Sequence, residues 1–309
     1  MLPNPIMRQN LRSELAGLAG HLAPRQGYNR TALASVRILK SEEMLKDVPV
    51  LYRPGAVFVL RGSKRGMLEG EVYLYDEDHY LAVSVPVPFR MESVASRKDP
   101  LLAIYVEFDL ALAAEIAAMI EARQATPSDS RARSLMSSPM EPAIEDTLFR
   151  LLKALGNPVE AGILGDAILR ELHYRILVSP QGGAMMAALQ QDGASARIVR
   201  SLASLRETYR SEIAVSALAS NAGMSVPSYH THFKALTGSS PMQYVKAMRL
   251  HEARLMMARE DMGVASVAIS VGYASPAQFS RDFKRHFGRT ASEEVKWVRR
   301  HLGEFVLER

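Results

Sequence analysis

The sequence predicts an α+β protein: a small β-barrel or sandwich followed by helices, then an all-α domain carrying two helix-turn-helix units. Three observations carry that expectation. Residues 36–108 break into short apolar or alternating runs separated by turn residues, the pattern of an antiparallel barrel or sandwich. Beyond Arg197 no alternating run occurs, and apolar residues recur at helical spacing. Within that helical region a single motif is written twice: Ala219-x-x-x-Gly223, Phe233-Lys234 and Gly238 recur as Ala268-x-x-x-Gly272, Phe283-Lys284 and Gly288. A small residue lets two helices cross closely, Gly takes a left-handed turn, and Phe fills the space between helices. Two such units imply two recognition helices offered to two stretches of nucleic-acid groove.

Along the chain, Leu11, Leu15, Leu18 and Leu22 make residues 10–22 a short amphipathic helix that ends before Pro24. Strands are expected at 36–39, 56–60, 72–75, 80–85, 89–94 and 101–108, with turns at Pro54-Gly55, Arg61-Gly62, Glu69-Gly70, 76–78 and 98–100. A helix follows over 109–122, then a Ser-, Pro- and Arg-rich loop over 126–139. Residues 141–155 form a helix stopped by Gly156-Asn157-Pro158, and 161–178 form another, with Ile163, Leu164, Ile168, Leu172 and Ile176 as its apolar stripe. Residues 179–183 break it. The polar segment 190–196 marks a boundary, dividing the chain into 1–190 and 195–309.

The chain has 309 residues, enough for two domains at about 150 residues each. It contains no cysteine, which excludes disulfides, thiolate metal sites and a Cys nucleophile. The N-terminal residues lack the apolar core of a signal peptide. The most apolar stretch, 111–120, is far shorter than the ~20 residues that span a bilayer. A soluble, cytoplasmic protein without membrane contact is expected. From Ser195 onward there are 17 Lys and Arg against 10 Asp and Glu, whereas the preceding residues carry 21 against 23. The positive excess coincides with the repeated motif, as phosphate binding requires.

Ser225 and Ser275 stand at the N-caps of the two recognition helices, and Ser275-x-x-Gln278 has capping-box spacing. Pro227, Pro276 and Pro241 fall in first helical turns, where a missing N–H costs little. The last of these starts a long helix, 242–258, that holds the two units apart. His230 and His232 lie two residues apart and share no helix face, so they predict no metal site.

The segment from Ile198 to Trp297 resembles the DNA-binding domain of the AraC/XylS family of bacterial transcriptional regulators. The resemblance rests on Ala219-x-x-x-Gly223-Met224-Ser225, Phe233-Lys234-x-x-x-Gly238-x-Ser240-Pro241-x-x-Tyr244 and Arg249-Leu250-x-x-Ala253. It continues in Val267-Ala268-x-x-x-Gly272-Tyr273-x-Ser275 and Phe279-Ser280-Arg281-x-Phe283-Lys284-x-x-x-Gly288. By position in the family, base-reading residues would be Pro227, His230 and Thr231 in the first unit, and Pro276, Ala277, Gln278 and Arg281 in the second. Gln pairs bidentately with adenine and Arg with guanine. Gln278 is equally placed to complete a capping box, and Arg281 to pair with Asp282. Lys234, Lys246, Lys284, Arg285 and Arg289 are the expected phosphate contacts. The chain departs from the family at Thr231, where Arg is usual, at Ala291, where Pro is usual, and at Glu294, where an aromatic is common.

Residues ~30–180 resemble the N-terminal domain of one branch of AraC-type regulators, through Tyr52-Arg53-Pro54, 59–64, Glu71-x-Tyr73-x-Tyr75-Asp76-x-x-His79-Tyr80-Leu81 and Arg170-Glu171-x-His173-Tyr174-Arg175. That resemblance implies a cupin-like β-barrel with helices used for dimerisation, a small-molecule effector, and no metal or other cofactor. His21, His79 and His173 are too far apart in sequence for the cupin metal pattern. Tyr52, Tyr73, Tyr75, Tyr80 and Phe89 are candidate effector contacts, with barrel core as the alternative. The function implied is an effector-responsive activator that binds double-stranded DNA as a homodimer and acts on RNA polymerase. Two other readings stand beside it: a cupin-type metal enzyme fused to a DNA-binding domain, and a non-specific architectural DNA binder. DNA alkyl transfer is excluded, because it needs a Cys acceptor.

Overall fold

A computed structural model describes residues 5–123, 132–189, 193–260 and 262–301. Helix α1 (Pro5–Leu22) starts earlier than its leucine spacing alone predicts. Arg8 and Arg12 both reach the buried Glu145 carboxylate, at 3.0 and 2.8 Å. These bonds hold the first turns in place, while Leu15, Ala16 and Ala19 pack into the core.

Among the described residues ten strands follow: β1 (Gly27–Arg30), β2 (Val36–Ser41), β3 (Leu45–Tyr52), β4 (Gly55–Arg61), β5 (Ser63–Leu68), β6 (Glu71–Tyr75), β7 (His79–Val83), β8 (Val87–Val94), β9 (Leu101–Glu107) and β10 (Leu135–Pro139). They make two antiparallel sheets, one ordered β1-β2-β9-β4-β7-β10 and the other β3-β8-β5-β6. The six expected runs correspond to β2, β4, β6, β7, β8 and β9. Strands β4 and β9 read as unbroken apolar runs because both faces of their sheet are covered. One face meets the second sheet across Tyr52, Val57, Val59, Tyr75, Leu81, Phe89 and Tyr105. The other meets α1 and the helices α3 (Pro142–Leu155) and α4 (Pro158–Leu177).

Four strands lie where none was expected. The polar β5 persists because β6 and β8 flank it on both sides. Strand β10 corrects part of the expected 126–139 loop, since residues 135–139 pair with β7; residues 126–131 lie outside the described residues.

Helix α2 (Leu110–Glu121) is capped by Asp109, whose carboxylate accepts from the amides of Ala111 and Leu112. On α4 the expected stripe divides. Ile168, Leu172 and Ile176 are buried in the core with Leu148 and Leu151, whereas Ile163 and Leu164 are 73% and 47% exposed. Helix α5 (Gly182–Leu189) follows the expected break and was not foreseen. It folds back so tightly that a Cβ at Gly182 would sit 2.1 Å from the Leu177 carbonyl oxygen.

The remaining helices are α6 (Ala194–Thr208), α7 (Val215–Asn221), α8 (Val226–Thr237), α9 (Pro241–Glu260), α10 (Val264–Ser270), α11 (Pro276–Phe287) and α12 (Ala291–His301). They enclose a separate core that includes Leu202, Tyr229, Phe233, Tyr244, Met248, Phe279 and Phe283. The outer face of the β3-β8 sheet carries this helical region. The Tyr244 hydroxyl donates to the Pro86 carbonyl (2.9 Å), and Arg254 donates to that of Pro49 (3.1 Å).

Candidate nucleic-acid interface

Both repeats fold as their residues predict. In the first, Ala219 is fully buried between α7 and α8, Gly223 turns at φ 61°, and Ser225 accepts from the Ser228 amide to cap α8. In the second, Ala268 is fully buried, Gly272 turns at φ 90°, and Ser275 caps α11 through the Gln278 amide. Phe233 and Phe283 are fully buried, and Gly238 and Gly288 end their helices in the left-handed conformation. Aromatic contacts rigidify each unit: Tyr229–Phe233–Tyr244 in the first, and Tyr273–Phe279–Phe283–Phe287 in the second. Between them, the 20 residues of α9 give a rigid spacer of about 30 Å. Successive major grooves on one face of DNA are ~34 Å apart.

The repeated glycines do unequal work. A Cβ on Gly272 would lie 2.4 Å from the Arg210 carbonyl oxygen, whereas one on Gly288 meets nothing within 4 Å. Gly288→Ala is therefore expected to cost about 1 kcal/mol, from its left-handed backbone alone. Gly272→Ala must also displace the chain at Arg210, and is expected to cost at least about twice that. Chemical denaturation of the two variants checks the difference; equal losses would refute the close approach as the cause.

Arg249, present in the sequence motif without a stated role, donates to three carbonyls: Tyr209 (2.7 Å), Gly272 (2.8 Å) and Ser211 (2.7 Å). Its planar fork ties the end of α6 and the turn of the second unit to α9, an arrangement an ammonium cannot reproduce. The departures at Ala291 and Glu294 have structural answers. In place of Pro, Thr290 and Glu293 form a reciprocal cap: the Glu293 carboxylate accepts from the Thr290 amide, and the Thr290 hydroxyl from the Glu293 amide. In place of an aromatic, Glu294 sends a fully enclosed carboxylate to Arg254 and Arg289, at 3.6 and 2.9 Å.

Pro227, His230 and Thr231 are exposed on α8, and Pro276, Ala277 and Arg281 are exposed on α11, with Gln278 half-buried among them. The Thr231 hydroxyl donates back to the Pro227 carbonyl. Gln278 uses its backbone amide for the Ser275 cap, while its side-chain oxygen accepts from Arg281 at 2.7 Å. Asp282 is buried and paired instead with Lys246 and Arg285, so Arg281 is not its partner.

The five expected phosphate contacts differ in their surroundings. Lys246 and Arg285 are held by Asp282, Arg289 by Glu294, and Lys234 lies 3.9 Å from Glu69. Lys284 is exposed and makes no ion pair among the described residues. His286 is neutral near pH 7, because burial and the Arg254 charge push it down to about 4. Its Nε2 lies 3.2 Å from that of His251, and no cluster of three or more His, Asp or Glu side chains placed to hold a metal occurs among the described residues.

The aromatic residues expected around an effector separate into three places. Tyr52, Tyr75 and Phe89 gather inside the sandwich. Tyr80 instead joins the helical core and donates to the Ser179 hydroxyl, and Tyr73 is partly exposed and donates to Glu71. A small cavity of about 100 Å³ lies where the two halves meet. Leu51, Tyr52 and Pro86 line one side and Arg206, Tyr209, Tyr244 and Met248 the other.

Two closely similar helix-turn-helix units on one rigid spacer, behind a two-sheet domain with a helical cover, define a two-domain regulator architecture. The profile described as AraC-type transcriptional regulator N-terminus matches residues 32–184, and a helix-turn-helix domain profile matches 218–296. The chain belongs to the AraC/XylS family of transcriptional regulators. It is 40% identical over 85 residues to the RCS-specific HTH-type transcriptional activator RclR of Escherichia coli, covering 28% of this chain and 30% of RclR. It is 22% identical over 273 residues to the thermoregulatory protein LcrF of Yersinia pestis, covering 84% of this chain and 96% of LcrF. The chain spans less than half the length of RclR and of the regulator ExsA of Pseudomonas aeruginosa, of which 44% is matched at 29% identity. The fold is similar to that of an apo variant of ToxT from Vibrio cholerae, with a TM-score of 0.54 at 11% identity over 86% of this chain and 99% of that one.

Proposed function

We propose that the protein is a sequence-specific, effector-responsive transcriptional activator that binds double-stranded DNA. The observation that carries this reading is the pair of capped recognition helices, each exposing its first turns, on one spacer of nearly groove-to-groove length. In this reading, residues 195–309 read DNA and residues 1–190 sense an effector and form a homodimer. The assembled protein acts in the cytoplasm by recruiting RNA polymerase, with no catalytic step of its own. ToxT of Vibrio cholerae, similar in fold, has been solved with an unsaturated fatty acid bound, which supports effector binding by this architecture. No helix among the described residues is long and apolar enough to cross a membrane.

In the second unit, Arg281 and Gln278 read bases and Lys284 holds a phosphate. The two charged residues should fail differently. Arg281→Ala is expected to weaken operator binding by about 1–3 kcal/mol and relax preference at one base pair, leaving unrelated DNA little affected. Lys284→Ala is expected to weaken all sequences alike and to lower the salt slope of binding by about one, since one fewer counterion is displaced. Salt titrations against the operator, its single-base variants and unrelated DNA make the comparison. Equal loss for every sequence in Arg281→Ala would reassign that residue to the backbone.

A further inference from the structure

The sheet interior contains a charge that the architecture does not need. Lys64 lies on β5 between the more accessible Ser63 and Arg65 and points inward, with only 3% of its surface exposed. Its Nζ is 3.2 Å from the Tyr52 hydroxyl and 5.9 Å from the ring centres of both Tyr52 and Tyr75. It forms no ion pair among the described residues. Tyr75 is fully buried beside it near Tyr52, and its hydroxyl makes no hydrogen bond of normal geometry among the described residues. Burial and the neighbouring Tyr52 raise the Tyr75 phenol well above its usual value of 10, so it remains a donor.

The three groups are unbalanced. An ammonium offers three N–H donors and each phenol one O–H, whereas the only acceptors are the two phenol oxygens. A positive charge taken out of water without a counter-charge is also strongly unfavourable. What would balance the cluster is a ligand with one negative charge and two acceptor oxygens. A carboxylate has both. A neutral sugar or amide supplies acceptors without charge, and a phosphate dianion would bring two charges to one cation. The nearby Phe89 packs edge-on to Tyr52 at 5.0 Å, and its ring occupies the space that a Cβ on Gly66 would need. Phe89 and the surrounding valines and leucines suit an apolar body behind the carboxylate.

We propose that the interior around Lys64 is the recognition site for a small apolar monocarboxylic acid, with Lys64 as its anchor and the Tyr52 and Tyr75 hydroxyls as supporting donors. The inference rests on the reading of the chain as effector-responsive. Tyr52 links the site to the DNA-binding half. It touches Lys64 inside the sheet and also lines the small cavity facing Arg206 of α6, Tyr209 at its end, and Tyr244 and Met248 of α9. An acid that reorients Tyr52 changes the wall on which those helices rest.

The test uses the full chain with sodium benzoate, butyrate and octanoate, each against its uncharged amide at matched ionic strength, in thermal melts and calorimetry. At a hundredfold excess over the dissociation constant, at least one acid is expected to raise the melting midpoint by about 5 °C. Its amide is expected to leave the midpoint unchanged. Lys64→Met should abolish the response, and Tyr75→Phe should weaken binding about tenfold, as expected for one hydrogen bond to a charged group. The proposal is overturned if no acid is distinguished from its amide, or if Lys64→Met responds as the wild type does. Should Lys64→Met fail to fold, unchanged acid affinity in Tyr75→Phe overturns it. Operator binding followed in parallel separates the two readings. A response to an uncharged metabolite with none to the acids would retain the effector-responsive regulator and discard the Lys64 site.

Discussion

Glu294→Gln is expected to destabilise the protein by about 3–5 kcal/mol, the usual cost of removing one partner from a buried ion pair. Arg254 is the largest fully buried side chain among the described residues, with no exposed surface, and Glu294 is 1% exposed. The guanidinium lies 3.6 Å from the Glu294 carboxylate, 3.1 Å from the Pro49 carbonyl and 3.2 Å from His251 Nδ1, with the Phe287 ring 4.9 Å away. His251 offers no negative charge in compensation; burial and Arg254 itself keep its pKa well below 6.5. Gln preserves the shape of Glu294 and removes only its charge, so the loss reports electrostatics and not packing. Because Arg254 also reaches β3, the substitution should loosen the seat of the helical half on the sheet and speed proteolysis. Arg254→Met combined with Glu294→Leu should recover much of the loss, since two apolar residues leave no stranded charge. Urea denaturation of the single and double variants measures this cycle. A single-variant loss below about 1 kcal/mol would mean that the charge on Arg254 is compensated without Glu294.

A comparable loss is expected for Leu172→Asp, although that residue belongs to the stripe from which a dimer contact would be inferred. Leu172 is fully buried among α3, α4 and the six-stranded sheet. Removing its side chain and enclosing a carboxylate should cost about 5 kcal/mol, from lost packing plus desolvation of a charge. Folding of the whole N-terminal half would fail, so this variant says nothing about self-association. The informative site is Ile163, which shares the outward face of α4 with the exposed Val159 and Tyr174. Ile163→Asp should change stability by no more than about 0.5 kcal/mol. If α4 meets its counterpart in a second copy, this variant should nevertheless sediment as a monomer at concentrations where the unaltered protein is dimeric. A dimer that survives Ile163→Asp would place the interface elsewhere.

The difference between these two positions shows what periodicity carries. Spacing of four links Leu164, Ile168, Leu172 and Ile176 in one apolar row on a helix, with Ile163 beside it. It does not identify which of them has a partner from its own chain, because that depends on where α3 lies. The DNA-binding half was legible for a different reason. Its Ala, Gly, Phe and Ser positions act within a few residues of one another, through caps, left-handed turns and one short helix crossing. Such local demands leave a residue-by-residue record. The sandwich was half legible: β4 and β9 announce themselves as apolar runs, whereas β5 is polar and is held by neighbours on both sides.

The enclosed charges were least legible. Nothing near Glu294 in the chain announces Arg254, and nothing near Lys64 announces Tyr52 and Tyr75. The class of fold, the two helix-turn-helix units and the family could be read from the residues alone, because these depend on short-range spacing and backbone conformation. That Glu294 faces an enclosed Arg254, that Asp282 holds two of the expected phosphate contacts, and that Lys64 is enclosed between the sheets emerges from packing. The worth of a charge depends on its distance from other charges and from water. Those distances come into being only when residues far apart in the chain are packed together.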